Sequence, residues 1–287
     1  MKAFPIPVVA LGPGSQAEDE SLDYLPLPRD MNTYRPPVLP EPEDVADRTA
    51  ARQALHQVLA LLERSAHGGP GGQVDLQALA PDDRHLINQV LGEGEASAIV
   101  QDAGDRIEVR IQESVFAGVW RVMAWDRDSL VDDAIEVGPV PVLLRDVAAT
   151  DASTRRQAWS APLPPNVQNA PLLVDEIRDH AARWQPGQAP HVVNLSLLPV
   201  TPEDIAFLDH ELGTGRVLML SRGYGNCRIT NTRLPNCWRV VYYNAMDTVI
   251  LNTVEVVDMP EVAMAAPEDL RDSLDRLRDV VNYLGSP

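Results

Sequence analysis

Cys227 and Cys237 are the side chains of this sequence most suited to redox or metal chemistry. Nine residues separate them, a spacing that matches no common zinc motif, and two cysteines are too few for a disulfide framework. For Cys227 two interpretations stay open, a small buried strand residue or a thiol with a functional role. Cys237 is interpreted as a packing residue.

Other catalytic constellations are missing from the sequence. It contains no GxGxxG after a strand, no Walker loop, no GxSxG elbow and no HExxH pair among its six histidines. The run His67–Gly72 is glycine-rich but follows a predicted helix, which indicates a turn. We therefore expect a protein that is not an enzyme and that holds no metal and no cofactor.

The segment Ser221–Asn226 has residue types typical of protein recognition. Gly223 and Gly225 permit a tight bend around Tyr224, and Arg222 can pair with a carboxylate or a chain terminus. The alternative is a glycine-supported hairpin with its tyrosine in the core. Tyrosine, arginine and asparagine recur at interfaces, so the predicted partner-binding residues are Arg222, Gly223, Tyr224, Gly225, Asn226, Tyr242, Asn244 and Asn252.

An internal repeat organises these residues. Residues 81–94 and 202–215 both begin with proline and two acidic residues and end in Leu-Gly-x-Gly. Trp120-Arg121-Val122 is matched by Trp238-Arg239-Val240, and Ile135-Glu136-Val137 by Val254-Glu255-Val256. Cys227 and Cys237 align with Val109 and Val119. These ordered matches predict two tandem copies of one unit.

Each predicted unit is α+β, with two helices packed on an antiparallel meander. Helical periodicity marks 44–65 and 170–183, and Thr201 should cap a helix that begins at Pro202. Strands are expected at 216–221, 226–232, 238–244 and 248–257. Glu136 and Glu255 are expected to pair with Arg121 and Arg239 across the meander.

The predicted boundaries divide the chain into four parts. Residues 1–43, rich in proline and acidic residues, are expected to be a flexible tail, either a plain solvated arm or one with a docking motif at Leu22–Leu27. Unit one spans 44–145, a linker spans 146–169, and unit two spans 170–287. Unit two includes an amphipathic C-terminal helix from Pro267 to about Leu284, whose apolar stripe is expected to be core.

Composition narrows the class of partner. The net charge of −18 argues against nucleic acid and against insertion at an anionic membrane face. It provides solubility or favours a basic partner. No apolar run reaches the roughly 20 residues of a membrane span, and the N-terminus lacks a secretory signal, so we expect a cytoplasmic location.

Two sequence blocks resemble a known family. Ser221–Ile229, then Leu251–Val256 with Pro260, are similar to the C-terminal signature of the HupH/HyaF/HoxQ hydrogenase accessory proteins. Gly12–Ser15 and Leu25-Pro26 resemble the start of that family, so the resemblance covers most of the chain.

The resemblance implies a function as well as a fold. It implies a chaperone for the iron–sulfur small subunit of an uptake nickel–iron hydrogenase, which binds the precursor before twin-arginine export. The signal peptide itself and other hydrogenase accessory proteins are further candidate partners. The family supplies no catalytic residues. Because Cys227 lies inside the signature, the resemblance also implies an alternative, an iron–sulfur cluster-handling or redox protein that uses this thiol.

Overall fold

A computed structural model of the chain describes residues 39–100, 107–152, 159–222 and 226–285. By their internal contacts these residues form two compact units. The first contains residues 39–144 together with those from Glu261 onward, and the second contains Arg145–Pro260. Both combine helices with an antiparallel sheet, so the α+β class is confirmed.

The first unit begins with a short 3-10 turn, Pro42–Val45, and then follows a helix–strand–helix–meander order. Its strands lie in the order β1-β5-β4-β3-β2, and all neighbours are antiparallel. Its elements are α1 (Thr49–Ala66), β1 (Gly72–Asp75), α2 (Pro81–Leu91), β2 (Ala96–Val100), β3 (Ile107–Glu113), β4 (Val119–Asp126), β5 (Ser129–Val137) and, from the chain end, α6 (Pro267–Gly285).

The second unit repeats this order. Its strands lie as β7-β8-β9-β10-β6, again antiparallel throughout, which confirms the predicted meander. Its elements are α4 (Ala170–Arg183), β6 (His191–Asn194), α5 (Pro202–Leu212), β7 (Thr214–Ser221), β8 (Asn226–Thr232), β9 (Cys237–Tyr243) and β10 (Val249–Val256). The helix α3 (Val142–Ala152) precedes it, and the boundary between the units falls within α3.

Details of backbone geometry also recur in the two units. In the β4–β5 and β9–β10 turns, Arg127 and Asp247 have positive φ angles of 55° and 56°. A β-bulge follows each turn. In the first unit, Trp125 pairs with Leu130 but Ala124 pairs with Asp132. In the second, Tyr243 pairs with Val249 but Tyr242 pairs with Leu251. Val131 and Ile250 are therefore the extra residues of two equivalent bulges.

The matched tryptophans make the same hydrogen bond. Trp120 Nε1 donates to Gly138 O and Trp238 Nε1 donates to Asp258 O, both at 3.0 Å. Each indole is almost completely buried, and burial of its N–H without a partner would be costly. The shared bond ties β4 and β9 to the segments that follow their sheets.

The helix caps follow the local sequence. Thr201 and Asp204 form a capping box at the start of α5, as the Thr201 prediction required, and Pro202 occupies the first turn. Gly92 and Gly213 follow α2 and α5 with positive φ angles of 56° and 68°, a conformation that glycine adopts without strain.

The C-terminal helix forms as predicted but packs elsewhere. Its apolar stripe, Leu270 to Leu284, is buried with α1 and α2 in the core of the first unit. The chain near Phe116 joins it, since Ala117 N donates to Ser273 Oγ at 2.8 Å. Helical periodicity shows which face of α6 is apolar but not which partner covers it, so the sequence assigned α6 to unit two.

Two further expectations differ from the structure. The predicted linker, 146–169, contains the last turns of α3, an element that was not predicted. The predicted Glu–Arg pairs do not form, because Glu136 is opposite Trp120 and Glu255 is opposite Trp238 in the register. The neighbouring residues Arg121 and Arg239 therefore point to the other sheet face, where their carboxylate partners are Asp133 and Asp209. Of the predicted tail, residues 1–38 lie outside the described residues.

Candidate partner-binding surface

The antiparallel order brings the end of β7, the start of β8 and the β9–β10 turn to one end of the strands of the second unit. Strand β7 ends at Ser221, β8 begins at Asn226, and the β9–β10 turn follows Tyr243. Asn226, the first residue of β8, is exposed and is paired with Tyr243. Arg222 is partly buried. Gly223, Tyr224 and Gly225 lie outside the described residues.

Three predicted residues of β9 and β10 have defined structural contacts. Asn244 Oδ1 accepts hydrogen bonds from Met246 N and Thr248 N at 2.8 and 2.9 Å, so this amide shapes its own turn. Asn252 Oδ1 accepts from Arg239 Nε at 2.6 Å, farther along β10. Tyr242 is partly buried and is paired with Cys227. Asn226 and Asn244 are thus brought together at the sheet end, whereas Asn252 lies away from it.

Exposed apolar side chains accompany this end of the sheet, and sequence reasoning missed them. Met246 in the β9–β10 turn is 81% exposed, and Ile250 on the bulge is 60% exposed. Leu197, also 81% exposed, lies farther along β10, next to Ser196, whose Oγ accepts from Asn252 N. We call Met246 and Ile250, which lie in and next to the β9–β10 turn, the β10 edge patch. The signal in the sequence was Val249-Ile250-Leu251, an apolar run that breaks the alternation of a half-buried strand.

The backbone beside this patch lies at the edge of the sheet. Strand β6 pairs with β10 only at Thr253–Val256, and Leu195 N extends the pairing to Asn252 O. Residues 249–251 of β10 continue beyond β6. A sheet edge with exposed apolar side chains is a ready site for pairing with another chain.

The equivalent edge of the first unit is protected. There Gln77 Nε2 donates to Val131 O at 2.8 Å, which occupies the bulge carbonyl. Asp128 and Asp132 are exposed on either side of Val131, and charges on an edge strand oppose strand addition. Ser196 occupies the position of Gln77 in the second unit, and its short side chain bonds Asn252 N instead.

Both cysteines are buried, but their side chains lie on opposite faces of the strands of the second unit. Cys227 is paired with Tyr242, five residues along β9 from Cys237, so the two thiols project to different sides. Burial raises the pKa of each thiol to about 11. A thiolate is the form that binds metal, and the two thiols share no site.

One group of potential metal ligands lies in the second unit. Glu176 and His180 of α4 and His191 of β6 place their ligand atoms within 4.8 Å of one another. The sequence did not predict this cluster, although Glu176 and His180 have the spacing of one helix face.

Helix α4 and the other described helices are too short or too polar to span a membrane.

Comparison with known proteins gives the class that this fold and signature represent. The model of the HupH hydrogenase expression protein C-terminal conserved region matches the chain twice, at residues 48–158 and 167–284. The chain therefore belongs to the HupH hydrogenase expression protein family.

Individual relatives cover nearly the whole chain. The hydrogenase expression/formation protein HoxQ of Cupriavidus necator is 53% identical over 100% of both chains. HupH of Rhodobacter capsulatus is 45% identical over 98% of both, and the hydrogenase-1 operon protein HyaF of Escherichia coli is 34% identical over 96% of this chain and 95% of its own. The solved structure of HupH from Thiobacillus denitrificans is 29% identical, covers 38% of this chain and 92% of its own, and superposes with a TM-score of 0.36.

Proposed function

We propose that the protein is a chaperone for the iron–sulfur small subunit of an uptake nickel–iron hydrogenase, which binds the precursor in the cytoplasm before twin-arginine export. A role in hydrogenase maturation accords with the names of its relatives, which are hydrogenase expression/formation proteins. We further propose that it acts by binding and not by catalysis. The observation that carries this proposal is the β10 edge patch, which lies at the end of the strands where β8 begins at Asn226.

The edge offers the chemistry that an incompletely folded client needs. Ile250 and Met246 can bury against apolar client side chains, and the backbone of residues 249–251 can pair with an extended segment. Methionine is flexible and adapts to varied apolar partners. An extended apolar stretch of the precursor, in its signal peptide or in its unfolded body, suits this surface.

Charge supports the choice of client. The net charge of −18 favours association with a basic partner, and a twin-arginine signal peptide carries its arginines next to an apolar segment. Arg222 and Asn226, which flank the predicted hairpin, lie at the same end of these strands and can add polar contacts. We expect the signal peptide to strengthen binding.

The test is capture of small-subunit precursor from cells that express both proteins, with and without the signal peptide. We expect the Met246→Ser/Ile250→Ser variant to bind at least tenfold more weakly, since central apolar anchors dominate such interfaces. The Tyr224→Ala variant tests whether the predicted hairpin contributes to binding of the precursor. The matched control is Val131→Ser, which alters the equivalent bulge of the first unit and should leave capture unchanged. Equal capture by the double variant and the control, both folded, would contradict the proposal.

The alternative function, handling of an iron–sulfur cluster by Cys227, finds less support in the geometry. The thiol is buried, its pKa is raised by burial, and Cys237 projects to the opposite sheet face. A cluster needs several accessible thiolates. Packing is the role that the surroundings of Cys227 favour.

A further inference from the structure

Three side chains with metal-binding atoms meet at a corner of the second unit. Glu176 and His180 are one turn apart on α4, and His191 opens β6. Buried residues on both elements, Ile177 on the helix and Val193 on the strand, fix α4 against the sheet. The three side chains are therefore held at the surface by two rigid elements and not by loops.

The three side chains lie within reach of one ion. Glu176 Oε1 is 2.9 Å from His191 Nε2. The rings of His180 and His191 are stacked, with centroids 3.5 Å apart and an interplanar angle of 4°. All three ligand atoms lie within 4.8 Å of one another. Ligands of one tetrahedral zinc ion are about 3.3 Å apart, and the ion lies in the plane of each imidazole that binds it. At least one histidine ring must therefore turn out of the stack when metal binds.

The donor set indicates the class of ion. Two imidazoles and one carboxylate suit zinc and similar divalent transition metals, and three protein ligands leave one coordination position open. Magnesium and calcium prefer oxygen ligands. The carboxyl end of α4 lies nearby, and its partial negative charge favours a cation there.

The equivalent corner of the first unit shows what packing alone requires. Strands β1 and β6 have the same register against their neighbours, and buried Val58 in α1 matches buried Ile177 in α4. The positions equivalent to Glu176, His180 and His191 are therefore occupied by Gln57, Leu61 and Gly72. A side chain on Gly72 would meet Leu61 Cδ2 at 2.6 Å, so this corner is closed by an apolar contact. Ligand side chains are thus not needed to join such a helix to its strand.

We propose that Glu176, His180 and His191 form a binding site for one divalent transition metal ion of the zinc class. The site does not depend on the proposed chaperone function. It leaves one coordination position for water or for a donor atom from a partner protein.

The experiment measures Zn²⁺ binding to the whole protein, purified without a polyhistidine tag, by competition with a chromophoric chelator. We expect one Zn²⁺ per chain, and at least tenfold weaker binding after His180→Ala or His191→Ala, because each removes a ligand. Ni²⁺ should bind at the same site and Mg²⁺ should not compete. The matched control is His210→Ala, which removes a histidine hydrogen-bonded to Glu211 in the same unit.

A second readout separates the site from general attraction of cations to an acidic surface. Zn²⁺ should raise the melting temperature of the wild type and of His210→Ala but not of His191→Ala. Circular dichroism without metal should show the same fold for all variants. Wild-type protein that takes up no Zn²⁺, or His180→Ala and His191→Ala variants that bind as tightly as the wild type, would overturn the proposal.

Discussion

Equivalent carboxylates at the start of α2 and α5 have very different surroundings. Asp204 is fully buried, and its Oδ1 accepts hydrogen bonds from the amides of Gln168, Asn169 and Ala170 at 2.8–3.0 Å. Its Oδ2 accepts from Thr201 N at 3.1 Å. Asp83, in the same position of the first unit, has no hydrogen-bond partner at Oδ1 among the described residues.

The contrast extends to a second pair of positions. Asn231 in β8 donates to Asp151 Oδ2 and accepts from Val217 N, both at 2.9 Å, within a network completed by Arg216. Its counterpart in β3 is Glu113, a carboxyl whose pKa burial raises to about 7. At these two positions the second unit satisfies its buried polar groups more fully, and we infer that its local geometry there is the more strictly specified of the two.

The largest effect should come from removal of the Asp204 carboxylate. Burial alone would raise the pKa of this group, but hydrogen bonds from the four backbone amides hold the pKa below its usual value. Asp204→Ala leaves those amides without their acceptor, and we expect a loss of about 3–4 kcal/mol in the free energy of unfolding. Asp83→Ala, measured by the same urea titration, should lose less than about 1 kcal/mol. Similar losses in the two variants would remove the contrast between the units.

Acid should weaken the hydrogen bonds that the Asp204 carboxylate accepts. Because the pKa of Asp204 is lower in the folded state than in the unfolded state, its contribution is present at neutral pH and is lost as the pH falls through the folded-state value. The difference in stability between wild type and Asp204→Ala should therefore shrink in acid. A constant difference from pH 7 to pH 2 would show that the charge of the carboxylate is not what holds α4 and α5 together.

Glu113 should have the opposite dependence on pH. Burial raises its pKa most, Glu95 and Asp269 add to the increase, and amides of Gly118 and Ala96 partly oppose it. Between about pH 4.5 and 7 the unfolded state has released this proton while the folded state retains it. The free energy of unfolding therefore falls as the pH rises through this window, by roughly 2–3 kcal/mol.

The Glu113→Gln variant removes this titration while Oε1 can still accept from Gly118 N. We expect it to be more stable than the wild type at pH 8 and to lose this advantage toward pH 4.5, as measured by chemical unfolding at each pH. Glu93→Gln, which alters an exposed carboxylate before β2, is the control and should follow the wild type. A constant difference in the free energy of unfolding between wild type and Glu113→Gln across this range would contradict the interpretation that burial raises the pKa of Glu113.

The sequence predicted the local structure better than the long-range contacts. The meander, the Thr201 cap and the C-terminal helix could be predicted because alternation, capping residues and helical periodicity are local signals. The packing of α6 against α1 depends on contacts across most of the chain, and no local pattern encodes it. The missed α3 has a run of adjacent apolar residues, Val142-Leu143-Leu144, without a capping residue before it.

The candidate sites show the same limit. The hairpin near Asn226 was predicted from residue types, but the exposure of Ile250 depends on a bulge and on where β6 ends, which only the register shows. The cluster of Glu176, His180 and His191 requires α4 to pack beside β6. Asn244 and Asn252 are of a residue type common at interfaces, whereas in the structure their side-chain oxygens accept hydrogen bonds from the β9–β10 turn and from Arg239.

The smallest effect should follow replacement of Cys227. The first unit has Val109 at this place, and β3 there keeps the same antiparallel pairing as β8. Cys227→Val should therefore change the free energy of unfolding by less than about 1 kcal/mol. Capture of the hydrogenase small-subunit precursor should stay at the wild-type level, and Cys237→Val, at the place of Val119, is the matched control for packing. One result would contradict this: Cys227→Val abolishes hydrogenase maturation in cells while its stability and its capture of the precursor are unchanged. The thiol would then have a chemical role, and β3 and β8 would not be equivalent at this residue.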